Sequence, residues 1–484
     1  MRTGSVTDRL LGGVIVADVL VLGAGLGGLS AALLLASDGH RVTVLERDDD
    51  PPPADPEQAW ASWDRHGVNQ FRMPHYMLPR WRQLMQRELP DVLADLVAVG
   101  AASINPLALM LPKHSGGWWD GDERFATVTA RRPVLESALA RATENQPGVT
   151  IRRGARVTAV TTGTPTSPGV PHVAGVRTGS GEQISADVVV DATGRRSTVP
   201  GLLAAAGARP GTEQREDCGF VYQTRHFRAR SAGATPPVLA ALIQDYAGLS
   251  ILTLPADNDT WSVSFVVSAR DRELRALREP AAWCAALRLF PLAAHWADGE
   301  PISDVEVIAG IEDRIRRYVD ADGPTVTGLL PVGDAWACTN PSLGRGSSIG
   351  LLHVCTLRDL LRQAEPHQPA TLAVRWDELT RRDVEPLFRL TLAFDRHRLA
   401  ELDADREGRT YRTADAGWAS HKALVAAARR HPEALRGVLD ISSLLATPQE
   451  VLDRPEVADR LDLAAESRPL PGPDRAELLA AVAG

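Results

Sequence analysis

The stretch from Val14 to Arg47 leaves this chain the least freedom. An apolar run (Val14, Ile15, Val16, then Val19 to Leu22) meets the glycine cluster Gly23-Ala24-Gly25-Leu26-Gly27-Gly28. An alanine- and leucine-rich run follows, and a second apolar run ends Val42-Thr43-Val44-Leu45-Glu46-Arg47. Strand, tight turn, helix and strand in that order make a βαβ unit, which belongs to an α/β fold with a parallel sheet. The glycines divide the physical work: Gly23 permits the turn, Gly25 lets a pyrophosphate approach the backbone, and Gly28 lets helix and strand pack closely. The helix N-terminus then faces the phosphates. Glu46, at the end of the second strand, is placed to accept hydrogen bonds from ribose hydroxyls. The rival reading is a glycine turn of purely structural meaning. The apolar strand before it, the helix after it and the acid at this distance favour a dinucleotide, with NAD and FAD both open.

The chain has 484 residues, room for about three domains and a large core. A formal net charge of −8 makes no electrostatic case for nucleic acid or an anionic membrane. Lys113 and Lys422 are the only lysines, so the positive charge is almost all arginine and no single arginine is informative by type. Cys218, Cys284, Cys338 and Cys355 show neither CxxC nor metal-ligand spacing. No metal site and a reduced, cytoplasmic setting are expected. Leu10 to Ala36 is largely apolar, but Asp18 and the glycines interrupt it, so no membrane span is expected.

Along the chain, residues 1 to 12 read as a mobile arm, and Asp48 to Pro53 as an exposed loop. Leu78, Trp81, Leu84 and Met85 fall at helical spacing, with Pro90 ending the helix. Trp118 and Trp119 read as core or lid packing. Arg132-Pro133 opens a helix. Ile151 to Val160 alternates like one strand, a hairpin surrounds Gly179-Ser180-Gly181, and Ala186 to Val190 is a buried strand running into Asp191-Ala192-Thr193-Gly194. Beyond residue 215 the character changes. Phe220 to Phe227 alternates, and Ile251 to Leu254 and Trp261 to Val267 pair across Pro255 to Asp259 as an antiparallel sheet. One face of the first of these strands holds Tyr222, Thr224 and His226, the other Gln223 and Arg225. A helix is expected from Glu273 to Leu289 and a strand around Val305 to Val307. Gly328 to Asp334 returns to the first style, followed by the glycine-rich turn Asn340 to Gly346 and a helix to Arg362. Residues 370 to 484 carry helical periodicity without chemical motifs, as a lid, a dimer surface or a buttress.

Three glycine or acid motifs at strand ends, distributed in this way, resemble the flavoprotein monooxygenases of the p-hydroxybenzoate hydroxylase type, particularly the branch holding flavin-dependent halogenases and polyether epoxidases. The resemblance covers residues 14 to 365. It implies a discontinuous Rossmann-type FAD-binding domain (14–65, 125–205 and 318–365), an antiparallel-sheet substrate domain (66–124 and 206–317) and a C-terminal helical region (366–484). It also implies roles: Gly23, Ala24, Gly25, Leu26, Gly27 and Gly28 at the FAD pyrophosphate, Glu46 and Arg47 at the adenosine ribose, and Arg132 on the FAD backbone. Val157 would meet adenine through its main chain. Ala192 and Gly194 lie in the second fingerprint. Asp334 after Gly333 would bind the ribityl chain, with Pro341, Gly344, Arg345 and Gly346 in the loop beneath the isoalloxazine. The amide-rich N-terminus after Gly346 suits the negative charge that develops on a reduced flavin.

Departures narrow the implication. The halogenase pattern Trp-x-Trp-x-Ile-Pro is missing and no lysine precedes Lys113, which disfavours halogenation. Gly67-Val68-Asn69-Gln70 is similar to a segment of the epoxidase-like branch, but Asn69 replaces its proline and Met73 its first histidine, while His75 matches the second. In such enzymes FAD carries the chemistry by way of a C4a-hydroperoxide. The leading expectation is thus an FAD-dependent monooxygenase, an oxidoreductase of secondary metabolism that hydroxylates or epoxidises a hydrophobic small molecule with molecular oxygen. Electrons would come from NAD(P)H bound transiently or from a partner flavin reductase. His75, Tyr222 and His226 are the candidate catalytic side chains. Two rivals are a reductase of the geranylgeranyl reductase-like kind and a non-catalytic binding protein of the GDP-dissociation-inhibitor type.

Overall fold

The structure is a computed structural model that describes residues 10–11, 14–165, 167–363, 368–462 and 469–483. Of the expected N-terminal arm, only Leu10–Leu11 is among them. It pairs antiparallel with Val14–Ile15, so the apolar run ahead of Asp18 forms its own small hairpin and not the start of the first long strand.

That strand is β1 (Asp18–Leu22), followed by α1 (Leu26–Ser37) and β2 (Arg41–Leu45). Apolar residues surround α1 on all sides, and residues 28 to 36 are buried, as expected of a helix enclosed by protein. Next come α2 (Pro79–Glu88) and α3 (Pro90–Ala98). Pro90 does more than end a helix: placed at the first position of α3, where its missing N–H is not needed, it starts the next one. Both helices pack in the core beneath the parallel sheet through Trp81, Met85, Val92 and Leu96, although their segment was expected with the substrate-covering part. After α4 (Arg132–Asn145) the run predicted as one strand divides. β3 (Val149–Arg152) belongs to the parallel sheet, while Val157–Thr162 joins a separate antiparallel sheet. Gly154 makes the break, with φ of 67° beside Asp49. The hairpin around Gly179 and the strand β4 (Val188–Asp191) follow as read.

The antiparallel layer contains β5 (Phe220–Arg228), β6 (Ile243–Asp245), β7 (Ser250–Pro255) and β8 (Thr260–Ser268), in spatial order β6-β7-β8-β5. One face packs on an aromatic core of Phe227, Trp261, Phe265, Trp283 and Phe290. The opposite face carries Tyr222, Leu252, Leu254 and Val266. The helix predicted over 273–289 is a 3-10 turn (Glu273–Arg278) and a separate helix (Pro280–Leu287), because Pro280 holds Glu279 extended, at φ −89° and ψ 127°.

The chain then returns through β9 (Leu329–Pro331) and α5 (Gly346–Gln363). The parallel sheet is thereby complete in the order β9-β4-β1-β2-β3. Beyond it lie α6 (Glu385–Arg406), α7 (Ala416–Ala428) and α8 (Pro432–Ser442). The two layers are fastened by a buried ion pair. Arg131, just before α4, gives its backbone N–H to Asp257 Oδ1 at 2.7 Å and its Nη2–H to Oδ2 at 2.6 Å, and Asp257 sits in the β7–β8 turn. Among the described residues no helix is long and apolar enough to cross a membrane.

Candidate functional site

A cavity of about 570 Å³ runs from the carboxyl ends of β1 and β2 to the antiparallel layer and the C-terminal helices. Its first end is made of backbone. Gly23 adopts φ of 99°, and a Cβ there would lie 2.7 Å from the Ala192 carbonyl oxygen; one on Gly28 would lie 1.9 Å from the Gly23 carbonyl oxygen. These two glycines let turn, helix and neighbouring strand touch. Gly25 and Gly27 behave oppositely, for a Cβ on either meets nothing within 4 Å, and both line the cavity. The amides ahead of Leu29 N–H, which makes the first bond back to the Gly25 carbonyl, have no intrahelical acceptor. An open amide cradle at the N-terminus of a buried helix fits a pyrophosphate.

Beside the cradle, Glu46 is buried and its carboxylate is already engaged: Oε2 accepts from the Ala24 amide at 2.8 Å and Oε1 from the Asp48 amide at 3.1 Å. The organiser is Arg65, which no motif in the sequence marks. Its guanidinium donates to Glu46 at 2.6 Å, Glu136 at 2.8 Å, Asp48 at 2.9 Å and the Ala24 carbonyl at 3.0 Å. Glu136 also takes the Nε–H of Arg132 at 2.6 Å. One buried arginine thus ties the glycine turn, the end of β2 and the helix that presents Arg132. Gly67 lies against the Arg47 guanidinium, and Arg47, Arg132 and Val157 line this half of the cavity.

The middle is held by the second and third motifs. Asp191 turns back on its own loop, accepting from the Thr193 amide and hydroxyl and from Ser197. Ala192 and Gly194 face the cavity beside it, as do Gly333 and Asp334. Behind Gly333 stands His353, unnoticed in the sequence: its Nδ1 accepts the Gly333 amide at 3.2 Å, and its ring stacks on Trp376 with centroids 4.4 Å apart. Burial pushes His353 down to about 3, so it stays neutral and keeps that acceptor. Pro341, Gly344 and Gly346 line the wall, with the N-terminus of α5 behind them. Arg345 does not; it turns away into the protein and donates to Thr391 at 3.2 Å.

The three candidate catalytic side chains separate. His75 lines the cavity, but both ring nitrogens are committed: Nδ1–H donates to the Met73 carbonyl at 2.9 Å, and Nε2 accepts from Arg132 at 3.3 Å. Burial and the Arg132 charge push it down to about 3, which makes it a support for Arg132 and a poor proton donor. His226 lies outside the lining; it donates to the Arg72 carbonyl at 2.8 Å and packs on Trp60. Tyr222 does line the cavity, donating its phenol to Asn340 Oδ1 at 2.7 Å.

The far wall is apolar and comes largely from the chain's last quarter. Leu242, just before β6, and Leu252 and Leu254 of β7 line it together with Phe394 of α6, Val425 of α7 and Leu435, Val438 and Leu439 of α8. Asp245 and His421 are the ionisable groups at this wall. Burial would raise the Asp245 carboxyl, but Arg398 at 3.4 Å and the Ser250 hydroxyl at 2.7 Å hold it below its ordinary value. Of the adjacent tryptophans, Trp118 is 56% exposed, not packed as expected, whereas Trp119 lies under the Arg436 guanidinium at 3.6 Å. All four cysteines are free thiols.

Residues 18–94 match the FAD dependent oxidoreductase family. Over 81% to 89% of its length the chain shares the fold of solved flavin-dependent enzymes. Among curated proteins, Protein Rv3254 of Mycobacterium tuberculosis (strain ATCC 25618 / H37Rv) is 28% identical over 399 residues, 78% of this chain and 79% of that one. PqsL of Pseudomonas aeruginosa, described as a probable FAD-dependent monooxygenase, superposes with a TM-score of 0.58 at 18% identity in its complex with 2-aminobenzoylacetate, over 81% of this chain and 97% of PqsL. CmlS, a flavin-dependent halogenase, does so with a TM-score of 0.57 at 16% identity, over 89% and 77%.

Proposed function

We propose that this protein is an FAD-dependent monooxygenase that inserts one oxygen atom, by hydroxylation or epoxidation, into a hydrophobic small molecule of secondary metabolism. Residues 14–65, 125–205 and 318–365 hold the FAD: Gly25 to Gly27 at the pyrophosphate, Glu46 and Arg47 at the adenosine, Arg132 and Asp334 along the chain between, and the 341–346 loop at the ring. FAD, when bound, supplies the redox and oxygen chemistry. The protein's part is to hold a substrate against it, keep water out and direct protons. One observation carries this reading: the cavity that starts in the amide cradle continues, within one lining, to an apolar wall, so cofactor and substrate can meet in one continuous space. PqsL, solved with 2-aminobenzoylacetate, supports a small-molecule occupant of such a space. The substrate of this chain is expected to be more apolar, given Leu435, Val438 and Leu439 on its wall. The free thiols support a reducing, cytoplasmic setting.

The test begins with FAD content of the purified protein, then follows oxygen consumption with NADPH, or with a flavin reductase, in the presence and absence of apolar aromatic and polyene compounds. Substrate-stimulated oxygen uptake with one oxygen atom recovered in the product is expected. Turnover under anaerobic conditions with loss of a double bond would mark a reductase instead, and a colourless protein that takes up no FAD would refute the reading altogether.

A further inference from the structure

A buried acid stands directly behind the cavity wall at the 340–346 loop. Ser342 lines the cavity, and its Oγ–H donates to Asp395 Oδ1 at 2.5 Å. Asp395 lies near the middle of α6 and is 1% exposed. Its Oδ2 has no hydrogen-bond partner among the described residues, nor has Asn340 Nδ2, nor the Nε of Arg345, which gives its Nη1–H to Thr391 on α6. A second path starts in the same wall, where the Tyr222 phenol donates to Asn340 Oδ1 at 2.7 Å and the Asn340 amide to Asp313 Oδ1 at 2.6 Å.

An ionised carboxylate with one oxygen unsatisfied in the interior is strongly disfavoured, and keeping its proton relieves this. Burial pushes Asp395 up to about 8, the Asp313 charge adds to the rise, and Ser342, Asn340 and Arg345 oppose it. The other titratable groups facing it are neutral: Tyr222 and Cys218 are both raised by burial. Asp313 is itself pushed up by burial, to about 6. Near neutral pH the acid therefore carries its proton and can still release it.

We propose that Asp395 is the proton reservoir of this cavity, passing its proton through the Ser342 hydroxyl to a ligand atom that gains negative charge, and taking it back by the same route. With Asp395 protonated the hydrogen bond reverses, Oδ1–H donating to Ser342 Oγ and the serine hydroxyl turning to the ligand; in the forward step Ser342 gives its hydroxyl proton to the ligand while its Oγ takes the Asp395 proton. One O–H bond breaks on Asp395, one bond to hydrogen forms on the ligand, and no electrons change hands. The carboxylate left behind faces Arg345 and the free Asn340 amide. Asp395 acts through Ser342, so it is a relay residue. The proposal rests on the reading of the cavity as the flavin and substrate site.

The experiment uses the full chain as wild type, Asp395→Asn and Ser342→Ala. Infrared titration, with or without FAD, is expected to show a carboxylic-acid carbonyl band that fades as pH rises through about 8 and is missing in D395N. Absorbance titration of the FAD-loaded protein is expected to show a flavin shift over the same range that disappears in D395N and moves by about one pH unit or more in S342A. Identical infrared titrations of wild type and D395N would overturn the acid, leaving Asp395 a tether for the loop. A flavin shift equal in all three proteins would overturn the relay. Should D395N not fold, S342A alone decides the coupling. Failure to take up FAD would sink the functional reading and the coupling with it, while the infrared band would still stand or fall by itself.

Discussion

The two ends of the cavity are built on different principles. At the dinucleotide end the contacts are backbone amides and glycines, set by the βαβ unit within a few dozen residues of sequence. At the far end they are side chains from the sheet, a loop and three helices, spread along the chain from Tyr222 to Leu439. Backbone cradles demand particular residues at fixed spacing, because only glycine permits the approach. A side-chain wall demands only shape and polarity. On the function proposed above, the first end holds the cofactor and the second selects the substrate.

Four measurements test that contrast. The largest effect is expected from Arg65→Ala, which takes the guanidinium from the buried Glu46 and Glu136 and the half-buried Asp48 at the dinucleotide end. Removing one partner of a buried ion pair costs about 3–5 kcal/mol, to be read in denaturant unfolding together with loss of FAD on gel filtration. Next, Gly28→Ala forces a Cβ to 1.9 Å from the Gly23 carbonyl oxygen and should cost up to about 3 kcal/mol. Gly25→Ala, facing open space, should unfold within about 0.5 kcal/mol of wild type yet bind FAD at least about tenfold more weakly. Equal stability losses in both would contradict the division between packing and ligand-facing glycines.

The third concerns pH. His353 is depressed in the folded protein, from 6.5 to about 3, so its contribution is complete above pH 6.5 and is lost as pH falls toward 3. At ~1.4 kcal/mol per unit it amounts to about 2 kcal/mol at pH 5. His353→Gln should be less stable at pH 7 and show a shallower loss between pH 6.5 and 5; parallel curves would show that the imidazole is not held neutral. The smallest effect belongs to Tyr222→Phe at the other end, about 1 kcal/mol for one hydrogen bond. Its signature is altered substrate preference with FAD affinity unchanged.

What could be read in the sequence follows the same division. The glycine cluster, Asp191-Ala192-Thr193-Gly194 and Gly333-Asp334 announce themselves, and each borders the cavity. Strand polarity was legible too, since Tyr222 and Thr224 alternate with Gln223, whose amide bonds the Leu274 carbonyl on the other side. Arg65 was invisible because its partners lie 17, 19 and 71 positions away, in a chain where arginine is the ordinary cation. Arg345 looked like part of its glycine loop until helix α6 supplied Thr391 as its partner. Where proline and glycine conflict with periodicity, local chemistry decides. Pro280 divides the helix at 273–289, and Gly154 ends the strand at 151–160.

Arg436 adds a kinetic consequence. It leaves α8 on the side away from Leu435, Val438 and Leu439 to meet Asp122 at 2.5 Å and the carbonyl oxygens of Ser115 and Gly117. The apolar wall is thereby latched from behind. Swinging α8 outward would strand a buried charge on each side, at about 3–5 kcal/mol, which slows passage by about two to four powers of ten. For any molecule that leaves past this helix, residence time is set by the latch.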